Sequence, residues 1–427
     1  MVKSNPKPRK VVGAKKEPLA RHQGKNHPQL NVDHEIGKAA PTIPLELQQL
    51  LLNIFRNSFP PERVTHIQPI IQEVKQHLYQ RDFGAAFGRE DYLQAYALRW
   101  SPSRALAYLE ILSVFSVLSE RLSSLAHCYV EHAKQPSPPA GQERVKSTPA
   151  SLDRMHGEAR LRQNRRVILL GGGAGAEVVA LAGFLNLHNR VQVSENKLTV
   201  VENPSDSQGQ TPGLSSGLQL CAIDIASWSP VLEKLNESIT SPPPLSKFAS
   251  EAVREASAAL LDSAQFSVSF RQQDILSLQT EGEAIDGIAS LLGEASLVTM
   301  MFTLNELYTI SMAKTTRFLL NLTALTHTGL LLLVVDSPGS YSTVSIPTRS
   351  GDTNSRSPTE NKYPMKWLLD HTLLEASSTR SNETDGEGAQ WEKLISEDSK
   401  WFRRPPSLKY PVELEDMRYQ IHIYRRL

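Results

Sequence analysis

The residues of this chain that could do chemistry gather where apolar runs stop. Gly171, Gly173 and Gly175 follow Arg166-Val167-Ile168-Leu169-Leu170 in the order Gly-x-Gly-x-Gly, and Ala176-Glu177-Val178-Val179-Ala180-Leu181 comes next. A buried strand, a glycine turn and a helix start make a seat for a nucleotide-type cofactor, since backbone without side chains can bend tightly beneath one. Asp224 ends Leu218-Gln219-Leu220-Cys221-Ala222-Ile223, where an acid can accept hydrogen bonds from ribose hydroxyls. Asp274 ends the run from Phe266 to Gln273, where it can accept from an adenine amino group with Ile275 or Leu276 against the ring. Asn305 and Glu306 follow Met301-Phe302-Thr303-Leu304, and Asp336 follows the apolar Leu330 to Val335. These three face the place where a substrate would meet the cofactor, and a carboxylate there can remove a proton. Asp224, Asp274 and Glu306 could each instead cap a helix and Asp336 could belong to an ordinary turn, so specificity comes from their serial placement at successive strand ends.

The elements that must position these groups are legible from periodicity. From Leu45 to about His132 apolar residues recur mostly at three and four, with Pro102 at a helix start and a helix expected from Ala105 to Leu125. Gln135-Pro136-Ser137-Pro138-Pro139-Ala140-Gly141 breaks the period. After Arg166, short apolar runs alternate with helical stretches, which indicates α/β architecture with a mostly parallel sheet. Expected strands are Val167 to Leu170, Leu218 to Ile223, Phe266 to Arg271, Leu297 to Phe302 and Leu330 to Val335. Met417 to Arg426 is expected as an antiparallel edge strand. The organisation is thus a basic disordered tail over 1–43, a helical accessory domain over 44–134, a linker over 135–160 and an α/β domain over 161–427. Surface insertions are expected near 188–217, 238–251 and 345–363, which are rich in Ser, Pro, Asn or Gly. Glu202, after Lys197-Leu198-Thr199-Val200-Val201, rivals Asp224 by its nearness to the glycine turn, but no helix follows it.

Composition narrows the function classes. At 427 residues and 40% hydrophobic, the chain can bury a large core. Its net charge is only +1, yet Lys3, Lys7, Arg9, Lys10, Lys15, Lys16, Arg21 and Lys25 crowd the start, which suits nuclear import or RNA contact as well as solubility. Cys128 and Cys221 are its two cysteines, too few for a disulfide framework or a cysteine-rich metal site. No metal is expected, and no apolar run approaches a membrane span or a secretory signal.

The turn alone leaves two cofactors open. Its Gly-x-Gly-x-Gly spacing is typical of S-adenosylmethionine (SAM) methyltransferases, while Ala176 is small enough to end a dinucleotide fingerprint. Lys400-Trp401-Phe402-Arg403-Arg404 interleaves aromatics with cations, as a site for bases and phosphates would, and Tyr341 is a second candidate for stacking.

From roughly Leu45 onward the sequence resembles the fungal SAM-dependent methyltransferases that methylate N3 of a uridine in 25S ribosomal RNA. The resemblance rests on Ile168 to Glu177, Asp224-Ile225-Ala226-Ser227-Trp228, Phe270 to Leu276, Met301 to Leu307 and Val335 to Ser340. It implies a class I, Rossmann-like methyltransferase fold with an N-terminal helical domain, SAM as cofactor, ribosomal RNA or a preribosomal particle as partner, and a nuclear or nucleolar location, with a cytoplasmic one as alternative. The expected cofactor residues are Gly171, Gly173, Gly175, Glu177, Asp224, Asp274 and Ile275, and the expected catalytic ones Asn305, Glu306 and Asp336. A protein or small-molecule acceptor, or a non-catalytic RNA-binding role, are the competing readings.

Overall fold

The computed structural model describes residues 43–60, 67–131, 166–199, 217–245, 248, 250–251, 254, 257–277, 283–339, 343–347, 360–377 and 389–427. The expected basic tail, the linker and Tyr341 lie outside them, as do Cys128's side chain and Glu202. The helical start is as the periodicity predicts, with α1 (Leu45–Ser58), α2 (Ile67–Tyr79), α3 (Phe83–Ala86), α4 (Glu90–Arg99), α5 (Ser101–Val114) and α6 (Ser116–Glu131). Pro102 sits in the first turn of α5, where its missing N–H costs nothing. The single helix expected from Ala105 to Leu125 is broken at Phe115, whose extended backbone (φ −83°, ψ 108°) turns the ring into the core.

The chain then builds β1 (Arg166–Leu170), α7 (Ala176–Thr199), β2 (Leu218–Asp224), α8 (Ser229–Thr240), β3 (Phe266–Gln272), α9 (Glu283–Gly293), β4 (Ala295–Met301), α10 (Leu304–Ile310), α11 (Met312–Leu325) and β5 (Leu331–Asp336). After these come a two-stranded hairpin of β6 (Thr343–Pro347) and β7 (Glu360–Pro364), α12 (Met365–Asp370), a π-helical turn (His371–Ala376), β8 (Trp391–Phe402) and β9 (Met417–Arg426). The main sheet runs β3-β2-β1-β4-β5-β9-β8, its first five strands parallel and β9 antiparallel to both neighbours. This is the α/β class I methyltransferase sheet that the resemblance implies.

Strand sequences follow from their places in it. Every residue of β4 and β5 is buried, because both strands lie mid-sheet with helices on either face, whereas edge strand β3 alternates. Val167 and Leu169 face a cluster with α1, α4, α5, α7 and α8, while Ile168 and Leu170 face one with α9, α10, α11 and α12. The N-terminal helices therefore share a core with one face of the sheet. Buried Arg99 pairs with Glu415, the Tyr410 hydroxyl donates to the Leu98 carbonyl (3.0 Å), and Glu415 N–H donates to Ser103 Oγ (3.0 Å).

Four expectations are corrected. The last strand is antiparallel but not an edge, because β8 pairs along its outer side. The region expected as an insertion from His188 begins as helix, α7 continuing to Thr199. That expected from Ser238 begins inside α8, and that from Ser345 to Tyr363 begins and ends in the β6–β7 hairpin. Polar composition hid these because exposed helix faces and hairpins are polar too.

Candidate active site

The glycine turn is built by its neighbours. Gly171 has φ +75°, and a Cβ there would fall 2.2 Å from Thr303 Oγ1, so both the backbone and the space demand glycine. Thr303 belongs to the β4 end and its hydroxyl donates to the Leu170 carbonyl at 3.1 Å, which ties the ends of β1 and β4 together. At Gly173 a Cβ would fall 2.1 Å from the Trp228 ring. Trp228 is buried against Phe87 (5.5 Å between centroids) and Tyr96 (5.9 Å), so the helical start of the chain backs the turn. Ser101 Oγ donates to the Ala174 carbonyl at 2.8 Å, and Gly175 N–H donates to the Gly172 carbonyl at 3.1 Å before α7 begins.

Asp224 lies at the end of β2, beside the turn. It accepts from the N–H groups of Gly173 and Ala226, each at 3.2 Å, and from the Trp228 side chain. Burial pushes its carboxyl above the ordinary range despite these bonds. It does not cap α8, which starts at Ser229 after Trp228. Ile225, the next residue, is 62% exposed. Asp274 sits two residues past β3, where Oδ1 accepts from Leu276 N–H (2.8 Å) and the other oxygen has no partner among the described residues.

Two expected cofactor residues lie elsewhere. Glu177 is buried beneath the turn, where Oε1 accepts from Thr299 Oγ1 at 2.6 Å, and burial pushes its carboxyl up to about 8. Ile275 is buried in the core with Ile168, Cys221 and Ile223, so its chain neighbour to Asp274 does not make it an open ring platform. Exposed Ile225 is the apolar side chain beside the acid instead.

At the β4 end the chain turns sharply: Phe302 has φ +60°, rare for a bulky residue, and its N–H donates to the Val335 carbonyl at 2.7 Å. α10 then carries Asn305 and Glu306. Asp336 is buried and accepts from Asn305 N–H (3.0 Å), Asn305 Nδ2 (2.9 Å) and Ser337 N–H (2.8 Å). Its carboxylate is thereby consumed in holding Asn305, a positioning arrangement rather than the reactive one expected. Glu306 has no hydrogen-bond or ion-pair partner among the described residues. Burial pushes its carboxyl up to about 8, against the pull of the Arg104 charge and with the push of Asp336 and Asp224.

Sequence reasoning missed Tyr96, Arg104, Trp228, Thr303 and Ile225. Trp228, Thr303 and Ile225 lie inside the motifs quoted above, but which of their residues touch the turn depends on the fold. Tyr96 and Arg104 stand on helices far ahead of the turn, and no spacing could have marked them. The arrangement fits an adenosine-bearing group: an acid at the β2 end for ribose hydroxyls, exposed Ile225 beside it, and a half-bonded acid past β3.

Residues 55–425 match the family Methyltransf_34, described as "Putative SAM-dependent methyltransferase". The chain belongs to this family. Its cofactor is SAM, and the protein is a SAM-dependent methyltransferase. The methyltransferase is 27% identical, over 385 residues, to the 25S rRNA (uridine(2843)-N(3))-methyltransferase of Saccharomyces cerevisiae, covering 88% of this chain and 85% of that protein. Among solved structures it is similar to a SAM-dependent methyltransferase from Methanosarcina mazei (11% identity, 66% of this chain and 99% of that one, TM-score 0.30). Human N-acetylserotonin methyltransferase is another (12% identity, 84% of this chain and 65% of that one, TM-score 0.26).

A second feature of the methyltransferase shares the sheet edge of Glu306. β8 and β5 both run antiparallel to β9, so the end of β8 lies with the carboxyl ends of the parallel strands. Trp401 there is 49% exposed, with the Arg403 guanidinium 3.9 Å and that of Arg418 5.9 Å from its ring centroid. Arg403 also pairs with Asp416 (2.7 Å), so part of this charge is internally balanced. Among the described residues no helix is long and apolar enough to cross a membrane, and no His/Cys/Asp/Glu group could hold a metal.

Proposed function

We propose that this methyltransferase modifies N3 of a uridine in large-subunit ribosomal RNA, with Glu306 as general base. The observation that carries this reading is Glu306 itself: a half-buried carboxyl with no partner among the described residues, pushed up to about 8, next to Asn305 at the end of β4. Uracil N3 carries a proton and its lone pair is delocalised, so methylation requires deprotonation, and a base is most effective when its pKa lies near the working pH. The relation to the yeast uridine-N3 enzyme supports this choice of acceptor over other nitrogens.

Bound SAM supplies an electrophilic methyl group on a sulfonium. Asp224 would hold the ribose hydroxyls, Ile225 would lie against the adenine, and Asp274 would accept from its amino group. Glu306 would take the N3 proton, which frees that nitrogen's electron pair for the methyl group that bound SAM would supply. Asn305 is fixed beside Glu306 by Asp336, through its own N–H and Nδ2. The Watson–Crick edge must be open, so the target is an unpaired or flipped uridine. Trp401 with Arg403 and Arg418 offers a stacking and phosphate-binding surface on the same sheet edge. On this reading the enzyme works where large-subunit RNA is assembled, in the nucleus or nucleolus.

The test is a nucleoside profile of large-subunit RNA, by mass spectrometry, from cells with and without the protein. One 3-methyluridine should disappear and return when purified protein and SAM are added. An unchanged 3-methyluridine content overturns the proposal.

A further inference from the structure

Arg104 is a cation built into the site without a carboxylate partner among the described residues. It stands on α5, whose first turn is bound to the glycine turn through Ser101 and Ala174. Its guanidinium lies 4.8 Å from the Phe302 ring centroid, and Nη1 donates to the Tyr96 hydroxyl at 2.6 Å. A guanidinium has five N–H donors in a rigid fork, and this bond uses one of them. No carboxylate lies within ion-pair distance of Arg104 among the described residues, although the charge of Glu306 is close enough to be felt. A partly desolvated guanidinium without an anion is unfavourable, and its fork matches a carboxylate in bidentate fashion.

The site has a natural place for that anion. Asp224 at the β2 end fixes the side for the ribose, and Glu306 at the β4 end fixes the side where the methyl group is delivered. The methionyl part of SAM must lie between them, against the turn that α5 backs. Arg104 borders this gap, since its partner Tyr96 packs on Trp228 at Gly173 and its guanidinium lies over the Phe302 ring at the end of β4. Glu306 is the wrong partner for permanent pairing, because a base held in an ion pair would lose its affinity for protons.

We infer that Arg104 receives the α-carboxylate of SAM, so that the N-terminal helices complete the cofactor site. The assignment rests on SAM as cofactor and does not depend on the acceptor being RNA.

Calorimetry on the full-length protein with two ligands tests it. S-adenosylhomocysteine carries the carboxylate, whereas 5′-methylthioadenosine keeps adenosine and sulfur but lacks the amino-acid group. Arg104→Gln should weaken S-adenosylhomocysteine by about 10- to 100-fold, the range for a lost charge-assisted bond. It should leave 5′-methylthioadenosine within about twofold, as expected for a contact that ligand never made. Arg104→Lys, which keeps the charge but not the fork, should fall between wild type and Arg104→Gln for the first ligand, and carries the same comparison if Gln unfolds the chain. Equal losses for both ligands would assign Arg104 to packing and overturn the inference. Unchanged S-adenosylhomocysteine binding with slowed methyl transfer would assign it to the acceptor and overturn it as well.

Discussion

Two glutamates of this methyltransferase are pushed up to about 8 by the same cause, burial, yet they sit in different surroundings. Glu177 lies beneath the glycine turn at the start of α7, bonded to Thr299 at 2.6 Å and sealed from solvent. Glu306 lies at the mouth of β4, partly exposed and without a partner among the described residues, beside an asparagine that Asp336 holds still. A raised pKa marks both, so titration alone does not separate a working base from a structural acid. The bonding differs: the first carboxyl is committed to the scaffold, whereas the second, the proposed base, has no such bond among the described residues.

Glu306→Gln removes the proton acceptor without changing size, and should lower the methyl-transfer rate by about 10²- to 10⁴-fold while leaving SAM affinity unchanged. A loss below tenfold, measured by single-turnover incorporation of labelled methyl, would put Glu306 on a par with Glu177. Asp336→Ala comes next, because it leaves the Asn305 and Ser337 donors without an acceptor in a buried place. We expect a stability loss of about 2–4 kcal/mol by denaturant titration, with slower transfer as Asn305 loosens.

Glu177→Gln should have the smallest effect on rate, within a few-fold, and its signature is in stability. The folded state holds this proton up to about pH 8, while the unfolded chain releases it near the ordinary value of 4.5. Stability from this group is therefore full below about pH 4.5, falls as pH rises towards 8, and changes no further above that. Gln keeps the Thr299 bond and has no proton to lose, so the variant should be more stable than wild type at pH 8.5 by about 1–3 kcal/mol, with the gap closing towards pH 5. Parallel denaturation curves for the two proteins across that range would remove Glu177 from the account.

The sequence made the scaffold readable because mid-sheet strands carry an unmistakable pattern. Val167 to Leu170, Leu330 to Val335 and the alternating Met417 to Arg426 match the strands observed to within a residue. β8 was missed, since Trp391–Phe402 holds Glu392, Lys393, Glu397, Asp398 and Lys400, and an edge strand does not need an apolar face on both sides. In the candidate site, position at strand ends was legible, as Asp224, Asn305 and Glu306 attest. Direction was not: nothing in Glu177 or Asp336 as letters says that the carboxylate turns into the core. Ile275 and Ile225 illustrate the same limit, because each is an isoleucine following an aspartate and only the fold exposes one of them. Tyr96 and Arg104 were invisible for another reason, since they come to the turn through packing of helices that stand far from it in sequence.

The central claim, that Glu306 deprotonates uridine N3, is met most directly by the pH dependence of single-turnover 3-methyluridine formation on large-subunit RNA. The rate should rise about tenfold per pH unit below about 8 and level off above it, with that inflection absent in Glu306→Gln. A rate independent of pH between about 6 and 9, or the same inflection in the variant, would contradict it.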